Sequence, residues 1–284
     1  KYRLICFGLL LCSLGLTKKI VFADSISTLI DQYFVSLPKT TMQAWLAAIM
    51  YSFQVYFDFS GYSDIAIGSA YLLNIRLPLN FKAPYLSSTP SEFWRRWHIS
   101  LSTWIRDYLY IPLGGSSGSY VRSNFIVILT MAIAGLWHGM NLNFLIWGIF
   151  WGIYICIGRF FKFKNIKPFY KWPLHFIIIV MLWVLFRSPN LYYSFSYWSI
   201  MLGVNNKHIV DLNASLSNSL ENPNLTNLFI FVILLFFIFH FLEAKLNGRF
   251  LLKIIKKLNN LFFNSILITL NILLVLIPVI NTNP

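Results

Sequence analysis

Two histidines stand in a stretch of the chain whose other residues are mostly apolar or aromatic. His138 lies in the sequence GLWHG, and His98 lies in the sequence RRWHIS. An imidazole titrates near neutrality and can take a proton from a hydroxyl group, which is the task of a general base in acyl transfer. Gly135 and Gly139 would let a helix or a substrate approach His138 closely. His138 is therefore the main candidate for chemistry, with an interhelical hydrogen bond as the alternative role.

The residues around His98 predict a helix over residues 90–110. Thr89 suits the N-cap, Pro90 suits the first helical position, and Glu92 is placed to close a capping box. One face of this helix is aromatic or apolar and comprises Trp94, Trp97, His98, Leu101, Trp104, Ile105 and Tyr108. The pattern is typical of an amphipathic helix in the membrane interface or beside a cavity. On such a face, simple packing is the alternative role for His98.

Charged and aromatic residues near the two histidines are the further candidates for the site. Arg95 and Arg96, at the start of the predicted helix, would attract an anionic donor such as coenzyme A or an acidic carrier protein. Arginines at a membrane edge also extend toward water to keep their charge solvated, so both interpretations stand. The substrate-binding candidates are Trp94, Arg95, Arg96, Trp97, Arg106, Asp107, Trp137 and Asn141.

The composition is that of an integral membrane protein. Of the 284 residues, 57% are hydrophobic and 11% are charged, and apolar runs of about 20 residues, the length that crosses a bilayer, recur along the chain. The net charge of +14 lies mainly in short clusters beside these runs, which favours membrane topology over nucleic-acid binding. Cys6, Cys12 and Cys156 have neither zinc-site nor disulfide-framework spacing. We expect no metal site and no tightly bound cofactor.

The N-terminal part of the chain combines an apolar run with isolated charges. Residues 4–16 predict the end of a span, closed on the cytoplasmic side by Lys18 and Lys19. Residues 21–38 mix acidic and apolar side chains before a proline, which predicts an interfacial helix. Because the chain starts without methionine or a signal-peptide pattern, we expect it to be an N-terminally incomplete piece that lacks earlier spans.

The next apolar run, which begins at Thr41, is long for a single span. A break at residues 60–61 would divide it into two spans. Asp58 and Asp64 lie inside this run, where a carboxylate is costly and normally faces a cavity or a partner. Arg76 is the nearest candidate for their countercharge, and polar contacts between packed helices are the alternative.

The second half of the chain alternates apolar spans with basic and non-basic loops. The predicted spans are residues 125–137, 144–158, 172–186, 228–242 and 261–280. Basic clusters at 159–171 and 245–257 indicate the cytoplasmic side, and residues 188–227 predict an external loop. The turn that carries His138 would then lie toward the outer side. The fold class is all-α: a polytopic membrane protein with re-entrant or interfacial helices around an intramembrane cavity.

Three motifs carry a resemblance to a known family. They are YFDFSGYSDIAIG (56–68), FWRRWHISLSTWIRDYLYIPLGG (93–115) and GLWHG (135–139). Together they resemble the membrane-bound O-acyltransferase family, above all its bacterial branch that O-acetylates alginate and peptidoglycan. The resemblance covers roughly the first 158 residues in order, and its likeness to the teichoic-acid D-alanylation member is weaker. Beyond Gly158 it rests on hydropathy alone.

The resemblance implies an enzyme that takes an acyl group from a cytoplasmic thioester and transfers it toward an external hydroxyl. It also implies that His138 is the catalytic histidine and that His98 is a second functional position. The donor would be an acyl-CoA or an acyl-carrier thioester, and the acceptor a cell-surface polysaccharide or a partner protein. A periplasmic or extracellular acyltransferase partner and a location in the bacterial cytoplasmic membrane are also implied.

Other functions stay open at this point. The chain could be a translocator or scaffold that passes the acyl group to a separate external transferase. An ion channel or proton-coupled transporter built around Asp58, Asp64 and Arg76 is a third possibility, but the sequence lacks the paired broken helices that such proteins often show. In domain terms we expect one membrane domain over residues 1–284, a catalytic-motif region at 85–158 and the external loop at 188–227.

Overall fold

The computed structural model describes residues 2–161 and 167–204, together with helical pieces at 232–234, 236–238 and 240–241. Within these residues the chain is helical and forms no strand, which confirms the all-α prediction. The helices are α1 (Tyr2–Leu16), α2 (Ser25–Ile30), α3 (Gln32–Val35), α4 (Thr41–Leu72), α5 (Pro90–Trp94), α6 (Ile99–Ile105), α7 (Tyr120–Trp137), α8 (Leu142–Phe160), α9 (Pro168–Arg187) and α10 (Leu191–Met201). Two π-helical segments, Thr17–Asp24 and Arg106–Tyr110, and a 3₁₀ turn, Pro84–Leu86, connect some of them.

Four helical segments of the described chain are long and apolar enough to cross a membrane. They are Leu4–Ile30, Tyr120–Trp137, Leu142–Phe160 and Phe169–Arg187. The last three contain or largely cover the spans predicted at 125–137, 144–158 and 172–186. The protein is therefore a multi-pass membrane protein. The predicted span at 261–280, the basic segment at 245–257 and loop residues 205–227 lie outside the described residues, and the span at 228–242 is described only in its three helical pieces.

The N-terminal segment is one continuous helical path, not a span followed by an interfacial helix. The π-helical segment Thr17–Asp24 joins α1 directly to α2, so Lys18 and Lys19 lie inside the segment Leu4–Ile30. The prediction that these lysines close the span was wrong, as was the interfacial helix at 21–38. Each lysine instead pairs with a carboxylate of α4, which lets the helical path continue past them.

Helix α4 runs unbroken through residues 60–61, where a break was predicted. Thr40 caps its start by accepting a hydrogen bond from the Gln43 N–H, 3.2 Å away. Gly61 serves close helix packing instead of a turn, because a Cβ placed there would lie 2.7 Å from the carbonyl oxygen of Gly15 on α1. A larger residue at either glycine would force α1 and α4 apart.

An aromatic core joins α4, α5, α8 and α9. Its largest fully buried side chains include Trp147, Trp151, Tyr56, Tyr85 and Phe93. The first part of the segment predicted as an external loop, 188–227, forms α10, in which the buried Tyr197 hydroxyl donates to the Ala44 carbonyl at 3.2 Å. Helix α10 therefore packs into the same core.

Candidate active site

His138 lies at the turn between α7 and α8. It is the C-cap residue of α7, and its N–H donates to the Gly135 carbonyl at 3.0 Å. Asn141 begins α8 by accepting a hydrogen bond from the Asn143 N–H at 3.0 Å. The two helices cross so closely that a Cβ on Gly135 would collide with the carbonyl oxygen of Phe144. The glycine predicted to permit close approach therefore packs two backbones together directly before His138.

Aromatic rings surround part of the His138 imidazole. Trp147 lies perpendicular to it with ring centroids 5.5 Å apart, Phe186 of α9 lies 5.1 Å away, and Trp137 lies 5.0 Å away. The residue as a whole stays exposed at the turn. Desolvation lowers the pKa of His138 to about 4. At neutral pH the imidazole is neutral, which is the form that accepts a proton.

His98 lies at a break in the helix predicted over residues 90–110. Helix α5 ends at Trp94, α6 starts at Ile99, and His98 between them has a left-handed backbone with φ +42°. The continuous helix was therefore a wrong prediction. The chain leaves the helix because the Arg96 carbonyl accepts a hydrogen bond from the Lys82 N–H at 3.0 Å, outside the helical ladder.

The predicted start of α5 is confirmed, with one change of partner. The Thr89 hydroxyl accepts the Glu92 N–H at 3.2 Å, as expected of an N-cap. The Glu92 carboxylate accepts the N–H of Ser88 at 2.9 Å, one residue before the position that a capping box would use. The two bonds therefore fix the start of the short helix that leads to His98.

The His98 ring packs edge-on against Phe59 of α4, with centroids 4.5 Å apart. Desolvation lowers the pKa of His98 to about 4, and the charge of His138 contributes to the same direction. Although 39 residues lie between the two histidines in the sequence, the fold places them in one region, where a charge on His138 disfavours a charge on His98. Both imidazoles are neutral at neutral pH.

Three buried tryptophans form an aromatic wall between the two histidines. Trp97, next to His98, lies 5.1 Å from Trp183 by ring centroids, and Trp183 lies 6.1 Å from Trp147. Trp147 in turn contacts His138. Each of the three is at most 5% exposed. We call Trp97, Trp183 and Trp147 the tryptophan wall. The sequence predicted only Trp97 of the three as a site residue, because the position of α9 beside α8 is known only from the fold.

The structure divides the other predicted substrate-binding residues into two groups. Trp94 packs on Trp147 at 6.0 Å, and Trp137 contacts His138, so both lie beside the site. Arg96 donates to Glu92 at 2.6 Å and so braces α5. The remaining candidates lie as follows: Arg95 is exposed, Arg106 and Asp107 form an exposed ion pair with each other at 2.7 Å, and Asn141 caps α8.

The carboxylates of α4 pair with lysines of the N-terminal segment, not with Arg76. Lys18 Nζ lies 2.6 Å from Asp64, and Lys19 Nζ lies 2.7 Å from Asp58. Arg76 is exposed beyond the end of α4, so its prediction as the countercharge was wrong. The close contact of α1 with α4 at their glycines brings the lysines opposite the carboxylates.

His175 of α9, which the sequence did not single out, is buried and fully hydrogen-bonded. Its Nε2 lies 3.0 Å from the Ser87 hydroxyl and its Nδ1 lies 2.8 Å from the Tyr154 hydroxyl. Because the Ser87 hydroxyl donates to the Pro84 carbonyl, Nε2–H must donate to Ser87 and Nδ1 must accept from Tyr154. A lone polar residue within an apolar span was the available signal, since such a residue faces protein and not lipid.

Comparison with known proteins identifies the family to which this fold and site belong. The profile of the membrane-bound O-acyltransferase family matches residues 2–195, which include both histidines and the tryptophan wall. The chain belongs to this family. The match continues past Gly158, where the sequence analysis expected hydropathy alone, and it takes in α9 and part of α10.

Curated membrane-bound O-acyltransferases and related proteins match at substantial identity. The probable alginate O-acetylase AlgI of Azotobacter vinelandii is 41% identical over 238 residues, which is 82% of this chain and 47% of that protein. The peptidoglycan O-acetyltransferase of Helicobacter pylori is 40% identical over 230 residues, 78% of this chain and 44% of that protein. The teichoic acid D-alanyltransferase of Bacillus subtilis is 32% identical over 171 residues, 56% of this chain and 42% of that protein. The chain thus spans less than half the length of these relatives, and the weaker likeness to the D-alanyltransferase is confirmed.

Proposed function

We propose that the protein is an O-acyltransferase that moves an acyl group, most simply acetyl, from a thioester donor to a hydroxyl group. The single observation that carries this proposal is the neutral imidazole of His138, which is exposed at the α7–α8 turn and backed by the tryptophan wall in a membrane-bound O-acyltransferase. Such a ring can accept a proton while the surrounding apolar side chains limit the access of competing water.

In the proposed reaction His138 acts as the general base. Its unprotonated ring nitrogen takes the proton of the acceptor hydroxyl as the hydroxyl oxygen bonds to the thioester carbonyl carbon. The carbon–sulfur bond then breaks, and the departing thiolate takes the proton from the imidazolium. Protonating an imidazole whose pKa is about 4 is unfavourable by itself, but the oxyanion that forms beside it offsets part of that cost.

His98 would assist at the same centre. It lies within electrostatic reach of His138 and is neutral, so one ring nitrogen carries a hydrogen that can donate to the oxyanion or orient a substrate. Arg95 is an exposed cation of this region and would meet an anionic donor such as coenzyme A or a carrier protein. Arg96 is less suited to that role because it already pairs with Glu92.

The proposed donor and acceptor rest on the chemistry of the site and on the substrates named for the relatives. We infer that the donor is a cytoplasmic thioester and that the acceptor is a cell-surface polysaccharide outside the bacterial cytoplasmic membrane, reached directly or through an external transferase partner. The alginate and peptidoglycan named for the relatives support a glycan acceptor. The predicted alternation of basic and non-basic loops supports a site toward the outer side of the membrane.

The test is the ester-linked acyl content of cell-surface polysaccharide in cells that carry the full-length protein. His138→Ala and His138→Gln should both lose the ester, because neither side chain accepts a proton from a hydroxyl near neutral pH. Met140→Ala is the matched control, since Met140 lies in the same turn and is 94% exposed. Membrane levels of all variants must be equal.

The two outcomes lead to different conclusions. Loss of ester in both histidine variants, with the control unchanged, supports the base and allows the acyl group to be identified by mass. Ester retained in His138→Gln would overturn the proposal and would favour a translocator that hands the acyl group to a separate transferase.

A further inference from the structure

The N-terminus of α6 has an unusual cap. His98 occupies the N-cap position, yet its side chain makes no capping hydrogen bond. Serine, threonine, aspartate and asparagine dominate this position because their side-chain oxygen satisfies an otherwise unpaired N–H of the first turn. His98 also has φ +42°, a left-handed backbone that is strained for a residue with a Cβ. Something else in the fold must therefore satisfy α6 and hold this backbone.

Asn80, 18 positions earlier in the chain, provides both functions. Its side-chain Oδ1 accepts a hydrogen bond from the Ser100 N–H at 3.1 Å, which is the bond an N-cap side chain would normally make. Its backbone carbonyl accepts the N–H of Ile99, the residue directly after His98, at 3.0 Å. The two bonds fix the chain on the C-terminal side of His98.

The other contacts of the same loop complete the support. Asn80 Nδ2 donates to the hydroxyl of Ser63 on α4 at 3.4 Å. Two residues on, the Lys82 N–H donates to the Arg96 carbonyl at 3.0 Å. The backbone is thus held on both sides of His98, and the loop that holds it is attached to the helix whose Phe59 packs against the His98 ring.

We propose that Asn80 is the positioning residue for His98: it caps α6 in place of His98, so that the imidazole stays available for the transfer reaction. This inference rests on the proposed function, in which His98 serves the acyl-transfer centre. No hydrogen bond to either ring nitrogen of His98 is found in the part of the chain that the structure describes, as a freed imidazole requires. Asn80 touches neither a substrate nor the reacting atoms and acts only through His98.

The experiment compares four single variants and one double variant of the full-length protein in membranes at matched protein level. Asn80→Ala removes the cap and should lower acyl transfer roughly tenfold to a hundredfold, as a misplacement of the order of 1 Å does. Asn80→Asp keeps the oxygen that accepts from Ser100 and should stay within about threefold of wild type. Asn190→Ala is the matched control, because it removes the equivalent N-cap bond, 2.8 Å to Tyr193, from α10. The fourth variant is His98→Ala.

Two further measurements separate positioning from general destabilisation. Hydrogen exchange of the peptide covering residues 96–104 should accelerate in Asn80→Ala and not in Asn80→Asp, while the remaining peptides are unchanged. The double variant Asn80→Ala/His98→Ala should transfer as much as His98→Ala alone, because Asn80 has nothing further to position once the imidazole is gone.

The inference is overturned if Asn80→Ala transfers at the wild-type rate, if Asn80→Asp is as impaired as Asn80→Ala, or if the double variant falls below His98→Ala. Its failure differs from failure of the proposed function. If His98→Ala is impaired while Asn80→Ala is not, only the role of Asn80 fails. If His98→Ala transfers at the wild-type rate, the proposed role of His98 fails instead.

Discussion

The buried hydrogen-bond network of His175 leads to a quantitative prediction for His175→Leu. The imidazole joins α9 to α8 through Tyr154 at 2.8 Å and to the loop before α5 through Ser87 at 3.0 Å. Leucine has a similar volume, so the substitution removes both hydrogen bonds without a large cavity. The loop that ends at the start of α5 should therefore lose one of its attachments to α9, while the Trp172 indole N–H still donates to the Tyr85 carbonyl at 2.8 Å.

The expected loss of stability follows from the groups left behind. His175 is 1% exposed, and a buried hydroxyl left without a partner, here that of Tyr154, costs about 1–3 kcal/mol. Ser87 keeps its bond to the Pro84 carbonyl and loses only the contact with the ring, which adds roughly 0.5–1.5 kcal/mol. The total of roughly 1.5–4.5 kcal/mol corresponds to a fall in Tm of about 3–18 °C for a protein of this size.

The assay is thermal unfolding of the detergent-solubilised protein, followed by tryptophan fluorescence. Tyr154→Phe alone should also destabilise, because it leaves His175 Nδ1 unpaired, and the double variant should lose at least 1 kcal/mol less than the sum of the two single variants, on the order expected for coupled partners. Tyr192→Phe, at a residue 81% exposed, is the control and should leave Tm unchanged. A Tm within 2 °C of wild type for His175→Leu would refute the reasoning, because a shift of about 2 °C corresponds to a loss of stability below about 1 kcal/mol. Strict additivity of the two single variants would refute it as well.

Three further predictions concern the site and its support. Because the pKa of His138 is lowered to about 4, the imidazole stays neutral as the pH falls. Transfer by the purified protein should therefore stay constant from pH 8 to about 5 and decline only as the pH approaches 4; a decline centred near pH 6.5 would contradict this. Gly135→Val should separate α7 from α8 and lower transfer roughly tenfold or more. Gly203→Ala, which has open space but a backbone φ of +69°, should destabilise the fold by about 1 kcal/mol and leave transfer unchanged; equal transfer in both variants would count against the close crossing of α7 and α8. Asp64→Lys should reduce the membrane level of the protein, because it places a second lysine opposite Lys18, whose Nζ lies 2.6 Å from the Asp64 carboxylate. Lys18→Asp in the same chain should restore the level, as measured by immunoblots of membrane fractions; no restoration would argue against the pair.

Features that depend on neighbouring residues in sequence were predictable. The helical membrane class follows from apolar runs of about the length that crosses a bilayer. The spans that became α7, α8 and α9 were placed correctly, as were the turn at His138 between two of them and the start of α5 at Thr89 and Pro90. Local propensity, capping and hydropathy decide such features, so no knowledge of distant contacts is needed.

Other features were decided by contacts between segments far apart in sequence. The pairing of Lys18 with Asp64 depends on the register in which α1 crosses α4 at their glycines, and hydropathy cannot specify that register. Nothing local predicts the break at His98, because its backbone is held by Asn80 and Lys82 from an earlier loop.

The amino-acid sequence by itself therefore determined most of the membrane-spanning helices and the turn that carries His138. Only the tertiary structure decided that His98 lies in the same region as His138, that Trp183 contacts Trp97 and Trp147, and that both ring nitrogens of His175 are hydrogen-bonded. The physical reason is that a buried polar or charged group takes whichever partner the packing of helices brings within hydrogen-bonding distance. The spacing of residues in the sequence does not specify that distance.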